Sequence, residues 1–377
     1  MTAAATPLAK AENTVTPIVT VAPTIVPVAV RSAFELLLNK QSLSHEQMTQ
    51  VMQHIMQGDV SPTFLAGLVT ALRMKGETIE ELTAAAQVMR AFAIPIDSSV
   101  KKLVDVVGTG GDGARTFNIS TTALFVVAAA GVAVAKHGGR SVSSQSGSAD
   151  VLEALGFDLQ QTPQQVAHSI AQAGIGFMFA PNYHPAMKYA APVRRELGVR
   201  TLFNLLGPLT NPARAPFQLL GVFDQSWVRP LCAVLKALGS QRAMVVHGLS
   251  PAGALDEIAL DGATVVAELT ADGRIVEYRI TPEDFGLVTR PTAQVQAALA
   301  VNNVTESKQK LLAVLDPEQR DETVQICREI VILNAAAALY IADAAPDLKQ
   351  AVELAQAVLR QGQAAAKLQQ WLSCELI

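Results

Sequence analysis

The sequence predicts an α/β protein, with a small all-helical domain followed by a large α/β domain around a mostly parallel central sheet. Three observations carry that reading. From Arg31 to about Ala93 apolar residues recur at helical spacing, with no strand between the helices. From Lys101 onward short apolar runs alternate with helical segments, the pattern of strands joined by crossover helices. Half of the residues are hydrophobic, mainly Ala, Val and Leu with few aromatics, which suits many helices around a substantial core.

Residues 1–30 hold Ala, Thr, Val and Pro in no helical period and read as a disordered extension. Pro23 and Pro27 interrupt their one apolar run, and no basic n-region precedes it as a signal peptide would need. "LSHEQMTQVMQHIM" and "PTFLAGLVTALRM" follow as amphipathic helices. Thr78 and Glu81 form a capping box for "TIEELTAAAQVMRAFA", which Pro95 stops. "KLVDVVG" then reads as a buried strand, followed by a glycine-rich turn and the helix "STTALFVVAAAG". "VAVAKHG" is a second strand, leading through a serine-rich loop into "ADVLEALG". Thr162, Pro163 and Gln165 start another helix, with proline at its first position. "IGFMFAP" is a strand and "HPAMKYAAPVRREL" one helix. After a proline-marked loop, "LLGPLTNPARAP", come the strand "FQLLGVF", the helix "VRPLCAVLKALG" and the strand "AMVVHG". "TVVAEL" and "RIVEYRI" flank "TADG" as a hairpin, and the remainder is helical.

The net charge of −4 is mild and argues against a dedicated nucleic-acid binder, while leaving room for a local basic patch. Cys232, Cys327 and Cys374 are scattered, with neither a disulfide framework nor zinc-ligand spacing, which fits a reducing cytoplasm. The apolar stretches near 124–135 and 330–342 fall short of the roughly 20 residues a membrane span needs.

Chemistry concentrates in three stretches. In "VVGTGGDGARTFNIST", Gly108, Gly110, Gly111 and Gly113 lie between a strand and a helix, where glycine lets backbone amides approach an anion and the helix start adds positive potential. A tight turn would also use glycines, but it has no need of Asp112, Asn118, Ser120 and Thr121 beside them. The stretch is neither a Walker A loop nor a dinucleotide fingerprint. In "KHGGRSVSSQSGSAD", Lys136 offers a point charge and Arg140 a fork for phosphate oxygens, with serine hydroxyls between them. His137 alone reads equally as structural or catalytic. In "LDEI", the adjacent acids Asp256 and Glu257 suit a magnesium ion that bridges phosphate oxygens. Arg194 and Arg195 share a helix, where an inward one could hold a carboxylate, although taken alone the pair reads as a solvated face. The residues therefore point to a polyphosphate site.

Together "DVVGTGGDGARTFNIST", "KHGGRSVSSQSGSADVLEALG", "NYHPAMKYAAPVRRELGVRTLFNLLGPLTNP" and "LDEI" resemble the anthranilate phosphoribosyltransferase family of tryptophan biosynthesis, in its order and at its spacing. The resemblance covers nearly everything from about Ala33 onward. It implies the nucleoside phosphorylase/phosphoribosyltransferase fold, with a helical domain of residues 31–98 completed by helices around 185–212. The large phosphoribosyl pyrophosphate-binding domain would take 99–184 and 213–377. It further implies transfer of the phosphoribosyl group to the amine of anthranilate, with Mg²⁺ as cofactor, and a homodimer formed through the helical domain. Gly108, Gly111, Asp112, Thr116, Asn118, Ile119, Ser120 and Thr121 would line one side of the donor site. Lys136, His137, Gly138, Gly139, Arg140, Ser141, Val142, Ser143, Ser144 and Ser148 would line the other. Ser120, Asp256 and Glu257 match the family's metal ligands. Gly108, Gly139 and Arg194 match anthranilate-binding positions, and no protein nucleophile is expected.

One residue departs from the pattern. The family usually reads Lys-His-Gly-Asn-Arg, and Gly139 stands here in place of the asparagine, which should weaken acceptor binding. A pyrimidine nucleoside phosphorylase would share the architecture, but "GTGGD" with "SGSADVLEALG" fits the transferase better. A non-catalytic, nucleic-acid-binding relative is disfavoured by the acidic balance and the intact acid pair.

Overall fold

The computed structural model describes residues 2, 26–141 and 145–374. It opens on four helices, α1 (Val28–Leu38), α2 (His45–Gln57), α3 (Pro62–Lys75) and α4 (Ile79–Phe92). Their ends follow from local chemistry. Ser44 with Gln47 and Thr78 with Glu81 form capping boxes, Pro62 opens α3, and Gly58 closes α2 in the left-handed region. Glu81 does more than cap. It is buried, ion-paired with Lys75 at 2.8 Å, and accepts the Leu43 amide at 2.8 Å, which joins the start of α2 to α4.

The sheet then assembles through β1 (Leu103–Gly108), α5 (Ile119–Ala129), β2 (Ala133–Gly138), α6 (Ser148–Ala154), α7 (Pro163–Ala173) and β3 (Ile175–Phe179). The chain leaves the sheet for α8 (Ala180–Tyr183), α9 (Ala191–Leu197) and α10 (Leu202–Leu209), and returns with β4 (Phe217–Gly221), α11 (Val228–Ala237) and β5 (Arg242–Ser250). The short β6 (Gly253–Leu255) pairs with β5, and β7 (Ala263–Leu269) with β8 (Ile275–Ile280) makes the expected hairpin. Helices α12 (Thr292–Leu299), α13 (Val304–Leu315), α14 (Glu322–Ile341), α15 (Leu348–Arg360) and α16 (Gln363–Ser373) complete the chain.

Strand order is β3-β2-β1-β4-β5-β7-β8, parallel from β3 to β5 and antiparallel beyond. The chain winds outward from β1 in one direction and restarts at β4 on its other side. The switch point, where a ligand crevice forms in an open α/β sheet, therefore lies at the carboxyl ends of β1 and β4.

Alternate residues of the central strands face opposite layers. Leu219, Met244 and Val246 pack with α5 and the C-terminal helices, whereas Leu220, Val245 and Ala267 pack with α11 and the core of α1–α4, α9 and α10. Helix α14 is long and apolar enough by length and composition to cross a membrane, but it packs as a core helix against α5, α12 and α15.

Two local expectations need correction. "HPAMKYAAPVRREL" is not one helix: a 3-10 turn over Pro185–Tyr189 precedes α9, because Pro185 and Pro192 each start a helical segment and cannot continue one. Conversely, Leu205–Leu209 belongs to α10 rather than to a loop. Pro208 sits in the last turn, where its carbonyl accepts a bond from Gln218 Nε2 at 2.7 Å.

Candidate active site

Glycines end both strands at the switch point, Gly108 in β1 and Gly221 in β4, and both are there because an acid crosses over them. A Cβ on Gly108 would lie 2.4 Å from Asp256 Oδ2, and one on Gly221 only 1.6 Å from the Asp256 carbonyl oxygen. The segment after β6 thus lies directly on the ends of β1 and β4. The Gly110 amide donates to Asp256 Oδ2 at 2.6 Å, and the Ser120 amide, in the first turn of α5, donates to Glu257 Oε1 at 3.2 Å. Asp112 Oδ2 faces the Asp256 amide at 3.4 Å, while its Oδ1 accepts the Ala114 amide at 3.1 Å. Gly110, Gly111 and Gly113 hold φ of 67°, 79° and 80°, a left-handed run that side chains rarely adopt.

This packing is electrostatically costly without a cation. Burial, Asp112 and Glu257 together hold Asp256 well above the usual carboxylate range. Burial likewise pushes Glu257 up to about 7, opposed by Lys136 and the Ser120 amide. Such an oxygen-only set suits a hard divalent cation. Among the described residues no cluster of three or more His, Cys, Asp or Glu is disposed to hold a metal, so the acids would supply only part of a shell. That fits magnesium, which keeps water and substrate phosphate oxygens among its ligands.

Lys136 is not on the wall of the site, as its sequence position implied, but beneath it. It is 2% exposed and donates to the Val106 carbonyl and to Ser120 Oγ, the latter at 3.2 Å. Burial lowers its pKa, against the pull of Asp105, Glu257 and Asp256. Arg140 also differs from expectation. Its fork is engaged by Glu153 at 2.7 and 2.8 Å and by Asp150 at 3.1 Å, and its guanidinium lies over Phe179.

Asn118 starts α5 without capping it. Its side chain instead bonds Ser146 Oγ at 2.8 Å, the Ser146 carbonyl at 3.1 Å and Ser307 Oγ at 2.7 Å, tying the glycine loop to the serine loop and to α13. Ile119 and Thr121 are buried, so Ile119 can offer a ligand only its backbone. Thr116 makes an isolated bridge to Ala300. Gly138 is required by the approach of Ser148, whose Oγ would lie 2.2 Å from a Cβ there. Gly139 has no such constraint: a Cβ would meet nothing within 4 Å. Ser141 opens the serine loop, its amide donating to Asp150 Oδ2 at 2.9 Å. Val142, Ser143 and Ser144 lie outside the described residues.

His137 is buried and neutral. Burial, with His184 beside it, pushes it down to about 3, and burial pushes His184 to about 4. The two rings stand 4.9 Å apart at 56°. Arg194 is the inward member of its pair, half-buried over Phe203 at 5.7 Å, and Arg195 is exposed. Burial lowers the Arg194 pKa, and among the described residues no carboxylate pairs with it.

Sequence reasoning missed Asp150, whose Oδ2 accepts both the Ser141 and Gly147 amides at 2.9 Å and so clamps the two ends of the serine loop. Its place in the first turn of a serine-started helix was the available signal. It also missed Ser307, His184 and Asn211. Asn211 Nδ2 donates to Asp105 at 2.8 Å and to the Ala135 carbonyl at 2.7 Å, linkages that only the fold creates.

A helical bundle packed on an α/β layer, with acids and glycines meeting at the switch point, is the two-domain arrangement that the matching family models describe for a glycosyl transferase. The family model described as "Glycosyl transferase family, a/b domain" matches residues 100–365, and "Glycosyl transferase family, helical bundle domain" matches 31–93. Anthranilate phosphoribosyltransferase of Thiobacillus denitrificans is 54% identical over 90% of this chain and 96% of its own length. The enzyme of Nitrosospira multiformis is 52% identical over 90% and 95%. Among solved structures, anthranilate phosphoribosyltransferase of Thermus thermophilus is 43% identical with a TM-score of 0.83, over 92% of this chain and 99% of that one. The Saccharomyces cerevisiae enzyme in complex with PRPP and Mg is 24% identical with a TM-score of 0.81 over 92% and 97%, a likeness of fold. The chain belongs to the anthranilate phosphoribosyltransferase family.

Proposed function

We propose that this chain transfers the phosphoribosyl group of phosphoribosyl pyrophosphate to the amine of anthranilate, releasing pyrophosphate. The observation that carries the reading is the crossing of Asp256 and Glu257 over the ends of β1 and β4 onto the glycine loop. A bound Mg²⁺ would neutralise the leaving pyrophosphate, and Ser120, Asp256 and Glu257 are the residues that would hold it.

The amine attacks C1 of the ribose as the C1–pyrophosphate bond breaks. The pyrophosphate leaves with the bonding electron pair and the nitrogen gives up one proton to solvent, a displacement that needs no protein nucleophile. The chain's part is alignment and electrostatics. The left-handed glycines 110, 111 and 113 and the start of α5 offer a docking surface for an anion. Buried Lys136 donates to Ser120 Oγ from below, beside the acid pair. Ser141, Ser146 and Ser148 belong to the facing wall of this reading, with Asp150 as its clamp. Arg194, desolvated and without an acid partner, is suited to the anthranilate carboxylate, and Gly139 offers the acceptor no side chain.

Residues 31–98 with 185–212 make the helical domain of this reading, and 99–184 with 213–377 the donor-binding domain. A homodimer through the helical domain is supported by the exposed apolar side chains of Val28, Leu38, Met74 and Ile79. Three unpaired cysteines support a reducing cytoplasmic setting. Loss of anthranilate fluorescence on adding donor and Mg²⁺ tests the activity. No loss with both present, or equal loss without Mg²⁺, would overturn it.

A further inference from the structure

The geometry points to Arg200 as a positioning residue of the donor site, a clasp by which the helical part of the chain holds the glycine loop. This inference rests on the proposed function and extends it to a residue to which the sequence reading assigned no role. Arg200 lies between α9 and α10, outside the large α/β layer. Its Nη2 donates to the Gly111 carbonyl in the middle of the glycine loop. Its guanidinium stands over the Phe223 ring, 4.1 Å from the centroid, just past the end of β4. Its own carbonyl accepts Arg73 Nη1 of α3 at 2.6 Å. One side chain and its backbone therefore join the helical bundle, the glycine loop and the β4 end.

The consequences follow from where Gly111 sits. It directly precedes Asp112, the acid that faces Asp256, so fixing its carbonyl also fixes the approach of Asp112 to the acid pair. Phe223 is seated on the same loop, its amide donating to Thr109 Oγ1 at 3.1 Å. A Cβ on Gly111 would lie 3.1 Å from Arg200 Nε, so the glycine also makes room for the clasp. Among the described residues no carboxylate lies within ion-pair distance of Arg200, although Asp224 feels its charge from further off, and the guanidinium stands beside the anion-binding loop. Arginine serves here because one planar fork can donate to a carbonyl and stack on an aromatic face at once.

Two measurements separate this role from general stabilisation. Hydrogen exchange of the Gly110, Gly111 and Asp112 amides in the substrate-free protein should quicken about fivefold or more in Arg200→Ala, with amides of β5 unchanged. In steady state, Arg200→Ala should raise the KM for phosphoribosyl pyrophosphate about tenfold, the scale of one charged hydrogen bond, and leave the KM for anthranilate within about twofold. Arg200→Lys, which keeps the charge and one donor, should recover part of the donor KM. Equal rises in both KM values, no recovery by lysine, or unchanged loop exchange would each overturn the clasp. A wild-type protein that makes no phosphoribosylanthranilate would instead overturn the function, and the exchange measurement would still decide on Arg200.

Discussion

The glycine loop and the serine loop start from the same architecture and are held in opposite ways. Each leaves the carboxyl end of a parallel strand, β1 or β2, and enters a helix, α5 or α6. The first is fixed from behind by buried groups: Asp256, Glu257 and Lys136. The second is fixed by Asp150, which also engages the half-exposed Arg140 together with exposed Glu153. A buried acid set is costly without a cation, whereas the serine loop is held at a helix start by Asp150 and tied to the glycine loop through Asn118 and Ser146. The proposed chemistry uses this division, with the buried acids as the metal side and the serine loop as the facing wall.

The contrast breaks most visibly if the acids are removed. Asp256→Ala with Glu257→Ala should abolish Mg²⁺-dependent turnover by at least about a hundredfold, the scale of losing a preorganised electrostatic contact. The thermal midpoint should stay level or rise, because two desolvated charges disappear with the activity. Near-normal turnover in the double variant would put the metal elsewhere.

A pH series sharpens the comparison, because the two walls respond with opposite signs. Glu257 is raised to about 7 from its ordinary 4.5, so its contribution is fully present below 4.5 and lost as pH rises through 7. His137 and His184, at the end of β2 and beside it, are lowered to about 3 and about 4 from 6.5. Their contribution is present above 6.5 and lost as pH falls through 4 and then 3. Urea unfolding without divalent cations should therefore show Glu257→Gln more stable than wild type at pH 7.5, with the gap closing by pH 4.5. His137→Gln should flatten the loss of stability between pH 6.5 and 5 by up to about 2 kcal/mol, at roughly 1.4 kcal/mol per pH unit. Parallel curves for all three proteins would refute the assignment of these groups.

The clamp of the serine loop is the next test. Asp150→Ala frees the Ser141 and Gly147 amides together and leaves Arg140 with Glu153 alone. The donor KM should rise about tenfold, while kcat falls less and the protein loses about 1 kcal/mol of stability, as for a lost cap. An unchanged donor KM would mean that the loop orders on substrate without its clamp.

Much of this was legible beforehand, and what was not has physical causes. The strand and helix order followed from periodicity, and Asp256 and Glu257 stood out as adjacent acids near a strand end. The burial of Lys136 was hidden, because a lysine in "VAVAKHG" reads as the exposed end of a strand, and its acceptor at Val106 is fixed only by the pairing of β1 with β2. Arg140 looked free because its partners, Asp150 and Glu153, come onto its face only once α6 has formed. Gly108 read as space for a phosphate, and the structure shows that an acid 148 residues further along the chain needs that space as well. Local rules see neighbours along the chain, and these contacts join segments that only the sheet order brings together.

The smallest expected effect concerns Gly139, at the start of the serine loop. Neighbouring glycines are required by close approach, at Gly138 by Ser148 and at Gly147 by the Ser141 amide. Gly139 is required by nothing in its surroundings, since its φ lies outside the left-handed region and a Cβ would stand in open space. Gly139→Asn should therefore fold without strain and gain about 0.4–1 kcal/mol from a less flexible unfolded chain. If the acceptor lies against this position, the added amide should lower the anthranilate KM threefold to tenfold, matching one neutral hydrogen bond of about 0.5–1.5 kcal/mol. The donor KM should not move. A stability gain with an unchanged anthranilate KM would show that the residue shapes the loop alone, and it would shift acceptor recognition entirely onto Arg194 and the backbone.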